Sequence, residues 1–266
     1  MSDKKKISVE TFVQTKRVKS KEPATHTAMS PFRGSFYMGD PGDRRRFFVK
    51  YCNKLKSKDK HIGILEKVNK AKVSPLRGDV DLRQNLDHNL ERRYTEDHVK
   101  VLTNIYQEII KDIVPPSQYK EIMLTCVILE KSGPRVSEGV IKDGWHYHFP
   151  YFFADAWVQD HYIRNIVMKK VTEQKLFDGL KLLEGVDKII DPIATKTWLM
   201  YGSSKSLESE PYVASKFING NLEDISIEEA FAPLMAGKRS SPSYYLPQFL
   251  SIQATSEPTL LNRRLY

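Results

Sequence analysis

Apolar residues recur along the chain with two different periods, and the switches between them delimit the predicted elements. In RRRFFVKYCNKL (44–55), Phe47, Phe48, Tyr51, Cys52 and Leu55 fall on one helical stripe, and GDPGD ahead of it supplies turn and cap residues. Residues 90–113 carry Val99, Leu102, Ile105, Tyr106, Ile109 and Ile113 at spacings of three and four, which predicts an amphipathic helix stopping before Pro115 and Pro116. HIGILEKV, SPLRGDVDL and EIMLTCVILEK (121–131) read as strands, the last of them buried, and GWHYHFPYFF (144–153) alternates with period two. DAWVQDHYIRNIVMKKV (155–171) reads as a helix with Trp157, Tyr162, Ile163, Ile166 and Val167 available for packing. LEGVDKIID then leads to TWLMYGSSK (197–205), a strand ending in a turn. Strands alternating with helices predict an α/β domain.

The ends are patterned differently. Residues 1–30 hold Lys4, Lys5, Lys6, Lys16, Arg17, Lys19 and Lys21 with little apolar periodicity, and read as a flexible basic leader. Residues 236–266 read as linker and tail, with YYLPQFLSIQ able to dock as a short apolar segment. No internal repeat or coiled coil is present.

Composition narrows the class. The 266 residues are 40% hydrophobic, enough for a proper core, and Lys plus Arg exceed Asp plus Glu by 42 to 33, a formal charge of +9. That excess suits a polyanionic partner, nucleic acid or an anionic surface. The two cysteines, Cys52 and Cys126, exclude a disulfide framework or Cys-rich zinc site and point to an intracellular protein. With no long apolar run and no apolar stretch behind the first lysines, neither a membrane span nor a secretory signal is expected.

Four short stretches carry candidate chemistry. On a strand, residues i and i+2 share a face, so Asp79 and Asp81 in LRGDVDL project together. Two co-facial carboxylates can hold Mg²⁺ or Mn²⁺, or be a plain surface pair. His146 and His148 in KDGWHYHFP repeat that geometry and could ligate a metal, bind phosphate oxygens or simply pack. Asp191 closes VDKIID and alone reads as a turn aspartate before Pro192. YGSSK offers Gly202, Ser203, Ser204 and Lys205 as a phosphate cradle, without matching a Walker motif.

The order of these stretches is more specific than any one of them. D-x-D, G-x-H, apolar-Asp and W-x-x-x-G-S-x-K in succession resemble the archaeo-eukaryotic primase superfamily, most of all the primase domain that opens the primase-helicases of nucleocytoplasmic large DNA viruses. SPLRGDVDLR, DGWHYHFP, DPIATKTWLMYGSSKSLESEPY and YLPQFLSIQ carry the resemblance from Phe32 to Gln253. It implies an α/β primase-polymerase core over 31–235, with an N-terminal α/β lobe (31–118) apposed to an RRM-like lobe (119–235) and the active site in the cleft between. It further implies that Asp79, Asp81 and Asp191 hold two divalent ions, Mg²⁺ or Mn²⁺, and that His146 contacts a nucleoside triphosphate. Lys205 would neutralise phosphate with Ser203 or Ser204 nearby. Arg83 and Lys142 are further basic candidates, for which ion pairing with Asp81 or Asp143 is the competing reading.

The activity implied is template-directed nucleotidyl transfer on single-stranded DNA, making or extending primers, in host cytoplasm or nucleus during viral replication. No zinc is expected. A superfamily 3-type helicase in the same longer polypeptide, or in trans, is the implied partner. No helicase motor is present by Tyr266, so the chain is expected to be a fragment of a primase-helicase or a stand-alone primase. Two departures stand out: KDGWH lacks the serine that many members place before the histidine, and Trp198 occupies the neighbourhood where an arginine is often found. The rival readings are a nuclease using the same carboxylates and an inactive nucleic-acid-binding replisome module.

Overall fold

The computed structural model describes residues 7–253 except 20, 30–31, 58–61 and 70–71. The elements in chain order are α1 (Val9–Gln14), β1 (Arg17–Val18), β2 (His26–Ala28), β3 (Gly34–Phe36), α2 (Pro41–Leu55), β4 (Ile64–Glu66), β5 (Ser74–Gln84), α3 (Glu96–Ile113) and β6 (Cys126–Glu130). There follow β7 (Arg135–Ser137), β8 (Val140–Ala154), α4 (Arg164–Glu173), α5 (Val186–Ile189), β9 (Trp198–Leu199), β10 (Val213–Ile218), α6 (Ile227–Phe231) and α7 (Pro242–Phe249). This is a mixed α/β fold built on two antiparallel sheets, one ordered β1-β3-β2-β4-β9 and the other β10-β6-β8-β5 with β7 added to β8.

Strand parity assigns the faces of the second sheet. Leu76, Val80 and Leu82 of β5 join Trp145, Tyr147 and Phe149 of β8 on the back face, against the apolar stripes of α3 and α4. Arg77, Asp79, Asp81 and Arg83 take the front face, opposite His148, His146, Gly144 and Lys142. Gly144 sits at φ +142°, and a Cβ there would lie 1.9 Å from the Val80 carbonyl oxygen, so this register requires glycine.

The order β5-α3-β6-β8-α4 is the start of an RRM-like unit, with β5 beside β8 and β8 beside β6. The place of a fourth strand beside β5 is taken by one antiparallel bridge, Val80 to Ile190. The RRM-like unit therefore begins at β5, so a lobe boundary near residue 118 cuts through it. β5 belongs to the lobe expected to start at 119, because its hydrogen-bond partner is β8.

The first sheet likewise closes across the chain, with Leu65 paired to Leu199 and Glu66 to Trp198. Its core gathers Phe36, Phe47, Phe48, Tyr51 and Ile64 with Val9, Phe12 and Val13 of α1. The expected leader is thus structured from residue 7 in its described part. α1 is a single apolar turn whose partner, α2, lies some thirty residues on, too short a stretch for periodicity to register. The lysines at 4–6 lie outside the described residues.

The expected tail is corrected similarly. α7 buries Leu246 and Phe249 against Val127, Leu129 and Phe231. After it the chain runs on to fasten on Glu66, whose buried carboxylate accepts from the Ser251 hydroxyl and from the Ile252 amide at 2.8 Å. Residues 254–266 lie outside the described part.

Three smaller expectations shift. EIML forms a 3₁₀ turn ahead of β6 rather than strand, and DKI of the run before Asp191 is helical. The helix expected from 155 opens with a wide π-type turn, Val158–Ile163, which leaves Trp157 partly exposed.

Candidate active site

Asp79 and His146 are directly opposed across β5 and β8, with Asp79 Oδ1 3.4 Å from His146 Nε2. His146 lies between two rings, stacked on Tyr212 at 3.6 Å between centroids and tilted against Trp198 at 4.6 Å. Burial pushes its imidazole down to about 3, and Lys131, Lys205 and Arg77 act in the same direction, so it is neutral near pH 7. Burial pushes the Asp79 carboxyl up to about 7, helped by the negative charges of Asp81 and Asp191.

Asp191 arrives from more than a hundred residues away by a defined route. Its amide donates to the Asp79 carbonyl at 3.0 Å, extending the bridge at Ile190. Arg164 donates to the Ile190 carbonyl at 2.7 Å. Asp160, buried in the π-type turn, accepts from the amides of Ile193 at 3.2 Å and Ala194 at 3.0 Å. Backbone hydrogen bonds to a buried carboxylate are among the stronger ones. They pin the loop that carries Asp191.

Of the expected site residues, Asp79, Asp81, Asp191, His146 and Lys205 gather at this front face, as their mutual electrostatic influence on Asp79 and His146 shows. The carboxylates do not form a closed cage: among the described residues no three potential ligands converge on one point. Asp81 turns to Arg83 at 3.1 Å, and Asp191 to Lys196 at 2.6 Å. Arg83 also reaches Glu184 at 3.1 Å, and Lys142 pairs with Glu138, so both of these basic candidates are engaged in ion pairs.

The serines are a correction. Ser203 is buried, lies 2.8 Å from the Tyr51 hydroxyl and accepts from the Ile64 amide at 3.1 Å, while Ser204 donates to the Ser206 carbonyl at 2.9 Å. Their hydroxyls serve the turn that joins YGSSK to the first sheet. Gly202, at φ +77°, lets that turn close on Leu55. His148 is fully buried beside Arg77 and takes the packed reading.

Several residues of the site escaped sequence reasoning. Lys131, at the end of β6, stands 4.8 Å over the Tyr212 ring, and burial with Arg135 and Lys205 nearby pushes its ammonium down to about 8. Arg77 is buried under Trp198 at 5.2 Å. Strand parity places Arg77 beside Asp79, and Asp160 stands three residues before Ile163 on an apolar stripe; those were readable signals. Tyr212 closes the stretch DPIATKTWLMYGSSKSLESEPY that carries the resemblance, and only Lys131 carried no signal.

An RRM-like unit with carboxylates and a histidine on its open face, facing a second small sheet, defines an archaeo-eukaryotic primase core. The profile of the C962R protein N-terminal AEP domain matches residues 25–218, and the chain belongs to that family. The chain is 31% identical over 260 residues to the "Putative helicase 121R" of Invertebrate iridescent virus 3, covering 89% of this chain and 26% of that protein. It is 26% identical over 263 residues to the "Putative helicase 184R" of Invertebrate iridescent virus 6, covering 91% of this chain and 26% of that one. It is 29% identical over 212 residues to the "Putative helicase L207/L206" of Acanthamoeba polyphaga mimivirus, covering 77% and 21%. The chain thus spans about a quarter of the length of these curated relatives. Among the described residues, no helix is long and apolar enough to cross a membrane.

Proposed function

We propose that this domain performs template-directed nucleotidyl transfer, making or extending primers on single-stranded DNA as the primase part of a helicase-linked replication protein. The observation that supports it most is the fastening of Asp191 to the Asp79 backbone while Asp79 opposes His146. Three distant segments thereby place three carboxylates and one neutral imidazole on a single open face. The donor set is all oxygen, and Asp81 and Asp191 add negative charge to the burial that raises the Asp79 carboxyl, which a cation would relieve, so the residues fit Mg²⁺ or Mn²⁺. Asp79, Asp81 and Asp191 would hold such ions, Asp81 and Asp191 turning from Arg83 and Lys196. When bound, the ions supply positive charge that favours the attacking 3′-oxygen and the departing pyrophosphate.

The chain's own residues do the positioning. His146, held between Trp198 and Tyr212, presents a neutral N–H to a phosphate oxygen. Lys205 and Lys131 offset the triphosphate's charge, and Lys131 is kept in place over the Tyr212 ring. The 3′-oxygen forms a bond to the α-phosphorus as the bond to pyrophosphate breaks. Catalysis is then mostly orientation and electrostatics.

The test is synthesis on a single-stranded DNA template with ribo- or deoxynucleoside triphosphates, with Mg²⁺ and Mn²⁺ compared. Asp79→Asn and His146→Ala should each lower incorporation at least ~100-fold, a few kcal/mol of transition-state stabilisation, with circular dichroism unchanged. Wild-type incorporation by either variant sinks the assignment. Shortening of labelled DNA without nucleotides would instead identify a nuclease.

A further inference from the structure

The first sheet has one face against α1 and α2 and another left open. Cross-strand register places Val18 opposite Ser35, Ser35 opposite Thr27, Thr27 opposite Leu65 and Leu65 opposite Leu199, a single row across all five strands. At strand spacings of ~4.8 Å the row is ~19 Å long. Val18, Ser35, Thr27 and Leu65 line a groove of about 690 Å³ whose border also holds Arg17, Arg33 and Lys205. The far end of the row, Leu199, borders the small cavity shared by His146, Trp198 and Tyr212. The groove therefore runs from the outer edge of the first sheet to the candidate active site, meeting it at Lys205.

Among the described residues, Arg33 and Lys205 make no ion pair, whereas neighbouring Lys16, Arg46 and Lys54 are each paired with a carboxylate. Arg17, paired with Phe36, turns its guanidinium to the other face, over the Phe36 ring and onto Gln14 Oε1 at 3.1 and 2.9 Å and the Arg33 carbonyl at 2.8 Å. Two cations along a shallow polar-and-apolar floor suit a polyanion that is extended rather than compact. Among the described residues lining the floor none is aromatic, so affinity there rests on phosphate contacts rather than base stacking.

We infer that this groove carries the single-stranded template: the sugar-phosphate backbone crosses the open face of the first sheet, Arg33 holds a phosphate, and Lys205 hands the strand to the site. The assignment deepens the nucleotidyl-transfer reading and rests on it for the identity of the strand.

Anisotropy of a labelled oligothymidylate with the whole chain, without nucleotide or metal, tests it alongside nucleoside triphosphate binding. Arg33→Glu and, on the floor, Ser35→Glu should each weaken oligonucleotide binding about tenfold at low salt. Arg33→Glu should also flatten the salt dependence by about 0.7 in log–log slope, one phosphate contact on a single strand. Triphosphate affinity should stay at the wild-type value, and Lys169→Glu, an exposed change on α4, should leave strand binding unaltered. Wild-type strand binding by both groove variants overturns the groove alone. A triphosphate defect in place of a strand defect overturns it too, as does an equal loss in Lys169→Glu. A wild-type chain that binds no oligonucleotide removes the nucleotidyl-transfer reading along with it.

Discussion

Asp160 touches none of the candidate catalytic groups, yet its removal should disable them. Its Oδ1 accepts from two buried amides, Ile193 at 3.2 Å and Ala194 at 3.0 Å, in the loop that presents Asp191. A hydrogen bond to a charged acceptor is worth roughly 1.5–3 kcal/mol, and the longer of the two belongs at the low end. Asp160→Ala also leaves both amides in the interior without an acceptor, so ~3–5 kcal/mol of stability should be lost. Asp160→Asn keeps an oxygen at the same place and removes only the charge, so ~1–2 kcal/mol is expected. Urea unfolding at pH 7 measures both. Mn²⁺ titration then reads the site: Asp160→Asn should weaken metal binding while remaining folded, because Asp191 is less firmly held. A loss below ~1 kcal/mol in Asp160→Ala, or unaltered metal affinity in both variants, would refute the claim that Asp160 fixes the third carboxylate.

Two further outcomes follow from buried groups. Burial pushes the Glu66 carboxyl from 4.5 up to about 7, so its folded form holds a proton that the unfolded chain has released. The stability it contributes is present below pH 4.5 and lost as pH rises through 7. At 1.36 kcal/mol per unit the loss is ~3 kcal/mol. Glu66→Gln should therefore gain on wild type by about that amount between pH 4.5 and pH 8, and parallel stability curves would dismiss the assignment. Gly144→Ala puts a methyl against the Val80 carbonyl oxygen at a positive φ, and should cost at least ~3 kcal/mol by thermal unfolding. A variant as stable as wild type would mean that β5 and β8 do not approach this closely.

What the sequence disclosed depended on how local each cause was. α2 and α3 were legible because their stripes are long and their caps, Asp40 and Thr95, lie within a turn. The co-facial placement of Asp79 and Asp81 followed from strand parity alone. The lobe boundary was missed because the pairing of β5 with β8 is decided sixty residues away, and α1 and α7 because each is short and stable only on a distant partner. Asp191 was singled out by resemblance to a family; the bridge beside Val80 that anchors it leaves no local trace, and Asp160 on its apolar stripe signals burial without naming the loop it holds. Ser203 and Ser204 show the converse. A hydroxyl-rich turn invites a phosphate reading until the partners of those hydroxyls are seen.

The way the first sheet is closed bears on how the chain can be made. Glu66 is buried, and the Ser251 hydroxyl and Ile252 amide that satisfy it lie 185 and 186 residues further on. The same sheet also waits for Trp198 and Leu199 to supply its last strand. During synthesis, the RRM-like unit from β5 to Ile190 can assemble while the elements that precede it in sequence still lack their closing partners. The segment translated first is thus completed last, a nested order with large loop-closure entropy and slow final docking.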